Sequence, residues 1–219
     1  MPDAPQTQIP AQTKSKKRIA DHGEVFTNER EVNAMLDLVA DQATNPEKTF
    51  LEPACGTGNF LSAILARKLD AVAAKHKKIQ SHYERHAVLA VSSLYGIELL
   101  PDNVAECRKR LSRQFAEHYQ TLYPKSHNAE CCRSVDFILS KNILCGDALS
   151  LKTADQKDIV FTEWKMLGSQ FKQRDFIYRD LVENLSDLPL FSDQGEQAFI
   201  PQPIKDDYPL THFWELGND

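Results

Sequence analysis

The sequence predicts an α/β fold with a doubly wound, mostly parallel sheet, and two observations support this prediction. Short apolar runs of strand length alternate along the chain with longer segments whose apolar residues recur at helical spacing. Such alternation is typical of βαβ units and of a parallel sheet. The run FLEPACGTGNFL at 50–61 also joins the end of one apolar segment to a helical pattern through two closely spaced glycines.

The predicted elements occupy residues 18–160, which we expect to form one domain. The first helix has apolar residues at helical spacing, and Thr27 or Asn28 is placed to cap it. Pro101 stands in the first turn of a later helix, where its missing N–H costs little. Strands are predicted at 49–51, 94–99 and 142–145, and helices at 28–40, 59–78, 82–93, 102–122 and 129–140.

Outside this region the pattern is weaker. Residues 1–17 are rich in Pro, Gln, Thr and Ala and are expected to be disordered. Residues 161–219 are predicted to be an irregular C-terminal extension that contains a helix at 175–185, and a short strand is predicted at 158–161, where the extension begins. Its scattered aromatic residues make this extension a candidate interface for a protein partner.

Composition and charge narrow the possible functions. The 219 residues have a formal net charge of −5. This argues against a strong nucleic-acid binder acting alone, because neutralising phosphates requires a basic surface. There is no signal-peptide pattern and no apolar run long enough to span a bilayer. With five cysteines and no secretory signal, the chain is expected to be cytoplasmic, with free thiols and no membrane association.

No metal site is predicted from the histidines and cysteines. His82 and His86 have the i, i+4 spacing that can place two ligands on one helix face. A complete site would need a second such pair. Cys131 and Cys132 are adjacent, and adjacent cysteines rarely bind one ion together.

The glycine turn at 56–58 is the strongest local signal. Gly56 and Gly58 allow a tight turn and let the backbone approach a ligand without an intervening Cβ. The helix that follows presents unpaired N–H groups and the positive end of its dipole to an anion. Leu61 replaces the third glycine of the dinucleotide fingerprint, so a pyrophosphate cradle is not predicted.

Acidic residues end the next two predicted strands. Glu98 follows the run YGI, and Asp147 follows the run ILCG. Ligands of an open parallel sheet bind beyond the carboxyl ends of the strands, so both side chains are expected near the glycine turn. A carboxylate at this place can accept hydrogen bonds from ribose hydroxyls. Helix capping or simple solvent exposure is the competing interpretation for each residue.

The string EPACGTGNF resembles the S-adenosylmethionine (SAM) motif of N6-adenine DNA methyltransferases from restriction-modification systems, of the Eco57I-like or type I M-subunit kind. The upstream string GEVFTNEREVNAML resembles the motif that closes over the methionine end of SAM in that family, although Thr27-Asn28 replaces the usual Thr-Pro. The resemblance covers about residues 18–150. It implies a Rossmann-like, SAM-dependent methyltransferase fold with SAM as the cofactor.

The resemblance also implies roles for individual residues. The glycine turn and its helix would hold the methionine carboxylate, Glu98 the ribose, and Asp147 with the Ala148 N–H the adenine of SAM. The predicted cofactor-binding residues are Phe26, Thr27, Glu52, Pro53, Ala54, Cys55, Gly56, Gly58, Asn59, Phe60, Glu98, Asp147 and Ala148.

The catalytic motif of that family does not occur in these 219 residues. Its members hold a flipped adenine with an Asn/Asp/Ser-Pro-Pro-aromatic loop, and this sequence contains no Pro-Pro pair. At the expected place the chain has Glu163 and Trp164, which can accept a hydrogen bond and stack on a base but are a poor substitute. Catalytic residues are therefore left unassigned.

A partner chain would account for the missing parts. The stretch DYPLTHFWEL at 207–216 resembles the aromatic segment that precedes the catalytic loop in Eco57I-like enzymes. We expect the SAM-binding part of a DNA adenine-N6 methyltransferase, completed by a protein partner that carries the catalytic loop and target-recognition domain, and reaching DNA through that complex. The alternatives are a non-catalytic SAM-binding or assembly subunit, a degenerate methyltransferase, or a methyltransferase for RNA, protein or a small molecule.

Overall fold

The computed structural model of the chain describes residues 27–186 and 201–218, without the side chains of 183–186. Phe26 and the predicted disordered segment 1–17 lie outside the described residues. The helices are α1 (Glu29–Asp37), α2 (Ala40–Ala43), α3 (Asn59–His76), α4 (Gln80–Ser92), α5 (Pro101–Leu122), α6 (Ala129–Asn142) and α7 (Tyr178–Ser186). The strands are β1 (Phe50–Glu52), β2 (Leu94–Glu98), β3 (Ile143–Cys145), β4 (Val160–Leu167), β5 (Gln170–Ile177) and β6 (Thr211–His212).

The first three strands form a parallel sheet in the order β1-β2-β3. Glu52 is level with Gly96, and Glu98 is level with Cys145. The carboxyl ends of all three strands therefore meet at one edge of the sheet. Helices α3 and α4 connect β1 to β2, and α5 and α6 connect β2 to β3. The prediction of a mixed α/β fold with a parallel sheet is confirmed.

Helices α3 to α6 pack together against the sheet and form the main core. The apolar residues of α3 recur at i, i+3 and i+4, so that one stripe of the helix is buried. Leu61, Leu65 and Leu69 of this stripe are fully buried. Phe115 of α5 and Ile138 of α6 are equally inaccessible. The helix predicted at 59–78 is therefore present as α3, which ends at His76.

A smaller apolar cluster covers the other face of the sheet. Side chains alternate between the two faces of a strand, so Ile97 points away from the side that Gly96 occupies. Ile97 packs with Ile159, Phe161 and Tyr178, which lie in and beside β4 and α7. The segment after β3 therefore folds back across the sheet.

Residues 160–186 differ from the predicted irregular extension. Strands β4 and β5, of eight residues each, form an antiparallel hairpin around Gly168-Ser169, and β6 pairs with β5. Gly168 has φ +63°, which suits a two-residue hairpin loop. The predicted domain boundary at 160/161 falls inside β4. The helix predicted at 175–185 begins at Tyr178, because 175–177 belong to β5.

The aromatic segment near the C-terminus packs into the main core. Phe213 and Leu216 are buried in it. The Trp214 indole N–H donates to Glu84 Oε2 at 3.2 Å. These contacts tie residues 211–217 to helices α4 and α6. Within the described residues, no helix is both long and apolar enough to cross a membrane.

Candidate cofactor site

The glycine turn lies between β1 and α3, at the carboxyl edge of the parallel sheet. Gly56 has φ +53° and Gly58 has φ +84°, a region that disfavours residues with a Cβ. A Cβ at Gly56 would meet no atom within 4 Å, whereas a Cβ at Gly58 would lie 2.6 Å from Cys107 Sγ. Gly56 thus borders open space, and Gly58 is required for close packing against α5.

Glu98 is held directly against this turn. Its side chain is 8% exposed, and its Oε2 accepts a hydrogen bond from the Gly56 N–H at 2.9 Å. Its Oε1 accepts from the Leu100 N–H at 3.0 Å and from Asn103 Nδ2 at 3.2 Å. The carboxylate at the end of β2 and the glycine turn after β1 therefore form one continuous hydrogen-bonded unit.

A cavity of about 90 Å³ opens beside the turn. It is smaller than the roughly 300–1,000 Å³ of typical small-molecule pockets, so it is large enough for part of a cofactor only. Burial raises the pKa of the Glu52 carboxyl at this cavity. The lining residues are Thr27, Glu52, Ala54, Cys55, Thr57, Asn59 and Phe60.

Asn59 links three segments at the mouth of this cavity. Its Nδ2 donates to the Thr27 carbonyl at 3.4 Å, which fixes the segment before α1 over the turn. Its Oδ1 accepts a hydrogen bond from the half-buried Arg110 guanidinium of α5. A cationic side chain thus lies next to the N-terminal end of α3.

Cys55 lies in the turn with its side chain 6% exposed. The neighbouring Cys107 thiol and burial both raise the pKa of Cys55, so its thiol stays protonated near neutral pH. A protonated, buried thiol is a poor nucleophile. Cys55 is therefore a packing residue of the turn.

Asp147 and Ala148 lie beyond the end of β3, outside the cavity lining. The Gly146 N–H donates to the Glu98 carbonyl at 3.0 Å, which brings the ends of β2 and β3 together. The Asp147 carboxylate accepts from the Leu149 N–H at 2.9 Å, and this bond lowers the pKa of Asp147. Ala148 packs against the smaller apolar cluster.

The sequence matches a known protein family. The family model of the MmeI DNA-methyltransferase domain matches residues 26–165, which is more than half of the chain. The chain belongs to this family. No curated protein and no solved structure matches the chain. The recognition of a restriction-modification DNA methyltransferase from the sequence is confirmed.

A methyltransferase domain of the MmeI family generally implies SAM as the methyl donor. The turn fits this cofactor in two respects. Gly56 leaves open space where a side chain would block a ligand, and Glu98 places buried acceptor oxygens at the end of the next strand. SAM would supply a methyl group on its sulfonium. The residues of this chain would bind and orient it.

The glycine turn and its cavity bring together most of the predicted residues, but not all. Thr27, Asn59 and Phe60 line the cavity with the residues after β1, while Glu98 joins the turn through Gly56. Asp147 and Ala148 are separate from the cavity lining. Pro53 is not among the residues that line the cavity, and Phe26 lies outside the described residues.

The residues suggested for base stacking have other partners. Trp164 is 7% exposed, and its indole N–H donates to Asn142 Oδ1 at 2.8 Å. Its ring also packs edge-on against Phe137 and Phe171. Glu163 pairs with the Arg174 guanidinium. Both side chains are therefore engaged in structural contacts, which agrees with their description as a poor substitute for the catalytic loop.

Sequence reasoning missed three residues of the site. Thr57 stands inside the predicted turn but was not assigned. Asn103 touches Glu98, and Arg110 touches Asn59, both from α5. The i, i+7 spacing of Asn103 and Arg110 places them on one helix face and was the available signal. Within the described residues, no group of three His, Cys, Asp or Glu side chains can hold a metal ion.

Proposed function

We propose that this chain binds SAM on the glycine turn and forms the cofactor-binding part of a DNA adenine-N6 methyltransferase. In this proposal the catalytic loop and target-recognition domain come from a partner chain, and DNA is reached through the complex. The observation that carries the proposal is the Glu98 carboxylate held at the Gly56 N–H, at the carboxyl edge of a parallel sheet. Open α/β sheets bind their ligands at this edge.

The contacts of the turn suggest how the cofactor would be held. The N-terminal end of α3 offers unpaired N–H groups to the methionine carboxylate. Glu98 is placed to accept a hydrogen bond from a ribose hydroxyl, and Thr27 and Phe60 border the cavity for the methionine end. The Asp147 Oδ1 accepts from the Leu149 N–H, and the carboxylate keeps further acceptor directions for the adenine amine.

Adenine-N6 specificity rests on the resemblance of the EPACGTGNF and GEVFTNEREVNAML strings to that enzyme class. The need for a partner rests on two observations. The sequence contains no Pro-Pro pair, and Glu163 and Trp164 are occupied by structural contacts. A catalytic loop assembled from the described residues is therefore disfavoured.

The free edge of β1 also supports completion by another polypeptide. Among the described residues β1 pairs only with β2. The Phe50 N–H donates to the Ser93 carbonyl, and alternate residues of a parallel strand bond to the same neighbour. The N–H and C=O of Leu51 therefore face away from β2. The Leu51 side chain is 40% exposed, and Met35 borders the adjoining apolar groove of about 200 Å³.

Calorimetric titration with SAM tests the cofactor site. We expect a micromolar Kd, about −8 kcal/mol, and we expect Glu98→Ala to abolish binding because it removes the ribose acceptor. Glu163→Ala, which removes a carboxylate of β4 far from the turn in sequence, is the control. Circular dichroism and thermal unfolding of each variant verify that the fold is retained. Near-wild-type SAM affinity in a folded Glu98→Ala variant contradicts the site assignment.

A methylation assay tests the partner. We expect the purified chain alone to transfer no methyl group from tritiated SAM to adenine in DNA. Transfer should appear when a polypeptide that carries an Asn-Pro-Pro-aromatic loop is added. Methylation of adenine by the chain alone would refute the need for a partner. SAM binding that is never followed by methylation with such a polypeptide favours the alternative of a non-catalytic SAM-binding subunit.

A further inference from the structure

Asn103 is the only side chain that contacts the Glu98 carboxylate among the hydrogen bonds of the described residues. It lies in the first turn of α5 and is 1% exposed. Its Nδ2 donates to Glu98 Oε1 at 3.2 Å. The other two donors to this carboxylate are the backbone N–H groups of Leu100 and Gly56.

These three donors fix the plane of the carboxylate. An ionised carboxylate has about four lone-pair directions, and two of the donors share Oε1 while the third bonds Oε2. The remaining acceptor direction lies on Oε2, the oxygen that faces the glycine turn. Without Asn103 the Glu98 carboxylate would keep one backbone donor on each oxygen, and its orientation would be held less tightly.

A purely space-filling role does not require an amide at this position. Burying an amide costs free energy unless its hydrogen bonds are satisfied, and a leucine has a similar size without that cost. Asn142 offers a direct comparison. It is also buried, but its amide donates to the Ser92 and Leu94 carbonyls at the opposite end of β2 from Glu98.

We propose that Asn103 is a positioning residue, which orients the Glu98 carboxylate so that its Oε2 accepts a hydrogen bond from a ribose hydroxyl of SAM. This inference rests on the proposed function, because it requires that SAM binds at Glu98. Asn103 itself need not touch the cofactor. Its effect on affinity is transmitted entirely through Glu98.

A double-mutant cycle measured by SAM titration tests this role. We expect Asn103→Leu to weaken SAM binding about tenfold, the effect of losing one hydrogen bond to a charged group. In the Glu98→Gln background the same substitution should weaken binding less than about twofold, because the two sites are coupled. Asn142→Leu is the matched control, with expected SAM affinity within about twofold of the wild type.

Asn103→Asp provides an isosteric variant and a pH profile in case Asn103→Leu does not fold. Two carboxyls in contact cannot both ionise easily, so one of them holds a proton at low pH. The introduced carboxyl then donates to Glu98 as the amide does. We expect the SAM affinity of Asn103→Asp, relative to the wild type, to rise as the pH falls from 8 to 5.5.

The outcomes distinguish the positioning role of Asn103 from the proposed function of the chain. Equal losses for Asn103→Leu in the wild-type and Glu98→Gln backgrounds would show a general structural role and overturn the positioning role. The positioning role would also be overturned if the SAM affinity of Asn103→Asp, relative to the wild type, did not change with pH. Failure of the wild-type chain to bind SAM overturns the proposed function itself, and this inference with it.

Discussion

Lys68 is a buried amine whose removal should change the pH dependence of folding. Its side chain is 0% exposed, and its Nζ donates to the Lys48 carbonyl and to Ser93 Oγ, each at 2.5 Å. Its Nζ also lies 5.1 Å from the centroid of the Phe50 ring. Among the described residues no carboxylate pairs with it. Burial lowers the pKa of Lys68 to about 7.

The size of the effect follows from linkage. An unfolded lysine has a pKa of about 10.4, so between about pH 7 and 10 the unfolded state binds one proton more than the folded state. The destabilising cost of burying the charged amine is fully present below the folded pKa and disappears as the pH rises toward the unfolded pKa. The free energy of unfolding should therefore gain about 2 kcal/mol from Lys68 between pH 7 and 9.

Urea unfolding of the wild type and of Lys68→Met at pH 6.5 to 9 measures this gain. The methionine side chain has a similar shape and does not titrate, so the difference between the two curves isolates Lys68. Lys141→Met is the control, because Lys141 is exposed and its Nζ also lies beside an aromatic ring, 5.6 Å from the Phe137 centroid. Parallel wild-type and Lys68→Met curves across this range would refute the reasoning.

Two further substitutions test packing around the site. Gly58→Ala should lower the free energy of unfolding by about 1–2 kcal/mol, because alanine disfavours the left-handed backbone of this position. The clash of its Cβ with Cys107 should lower it further. In urea unfolding, Gly56→Ala should lose only the stability that the backbone conformation costs. Adding Cys107→Ala to Gly58→Ala should restore part of the lost stability. If the losses of the two substitutions simply add, the contact between Gly58 and Cys107 is contradicted. Trp164→Phe should lower the free energy of unfolding by about 1–3 kcal/mol, because it leaves the buried Asn142 Oδ1 unpaired. Its SAM affinity should be unchanged, and a large loss of SAM affinity would contradict the core role of Trp164.

The parallel strands and the glycine turn could be predicted because local patterns determine them. Each of the three predicted strands ends within one residue of the observed strand. The turn requires positive φ at Gly56 and Gly58, and glycine is the residue that adopts it most readily. Glu98 could be placed near this turn because parallel strands end at one edge of the sheet.

The β4–β5 hairpin could not be predicted with the same ease. Its strands alternate apolar residues with charged ones such as Glu163 and Lys172, and the pattern was obscured by the charges. Gly168-Ser169 between the two runs was the usable signal, since a two-residue loop with glycine favours a hairpin. Burial of Phe213 depends on distant helices, and no local pattern specifies such a contact.

The residues that support the site from α5 depend on tertiary packing to different degrees. Asn103 lies five positions after Glu98 and meets it because α5 begins directly after β2, whereas Arg110 reaches Asn59 across 51 positions. A sequence shows which face of α5 carries these residues but not which neighbour that face meets. The residues that follow a motif are therefore predictable, whereas the residues that brace it from another helix are not.

The burial of residues 213–216 has a consequence for how the chain is made. The hydrogen bond from Trp214 to Glu84 spans 130 positions. Closing so long a loop loses chain entropy before the contacts that stabilise it can form. On the ribosome the helices emerge well before the segment that completes their core. Until residue 216 has emerged, the apolar surface that Phe213 and Leu216 cover stays exposed on the nascent chain. Its folding yield should therefore depend on chaperones and on the rate of synthesis through residue 216.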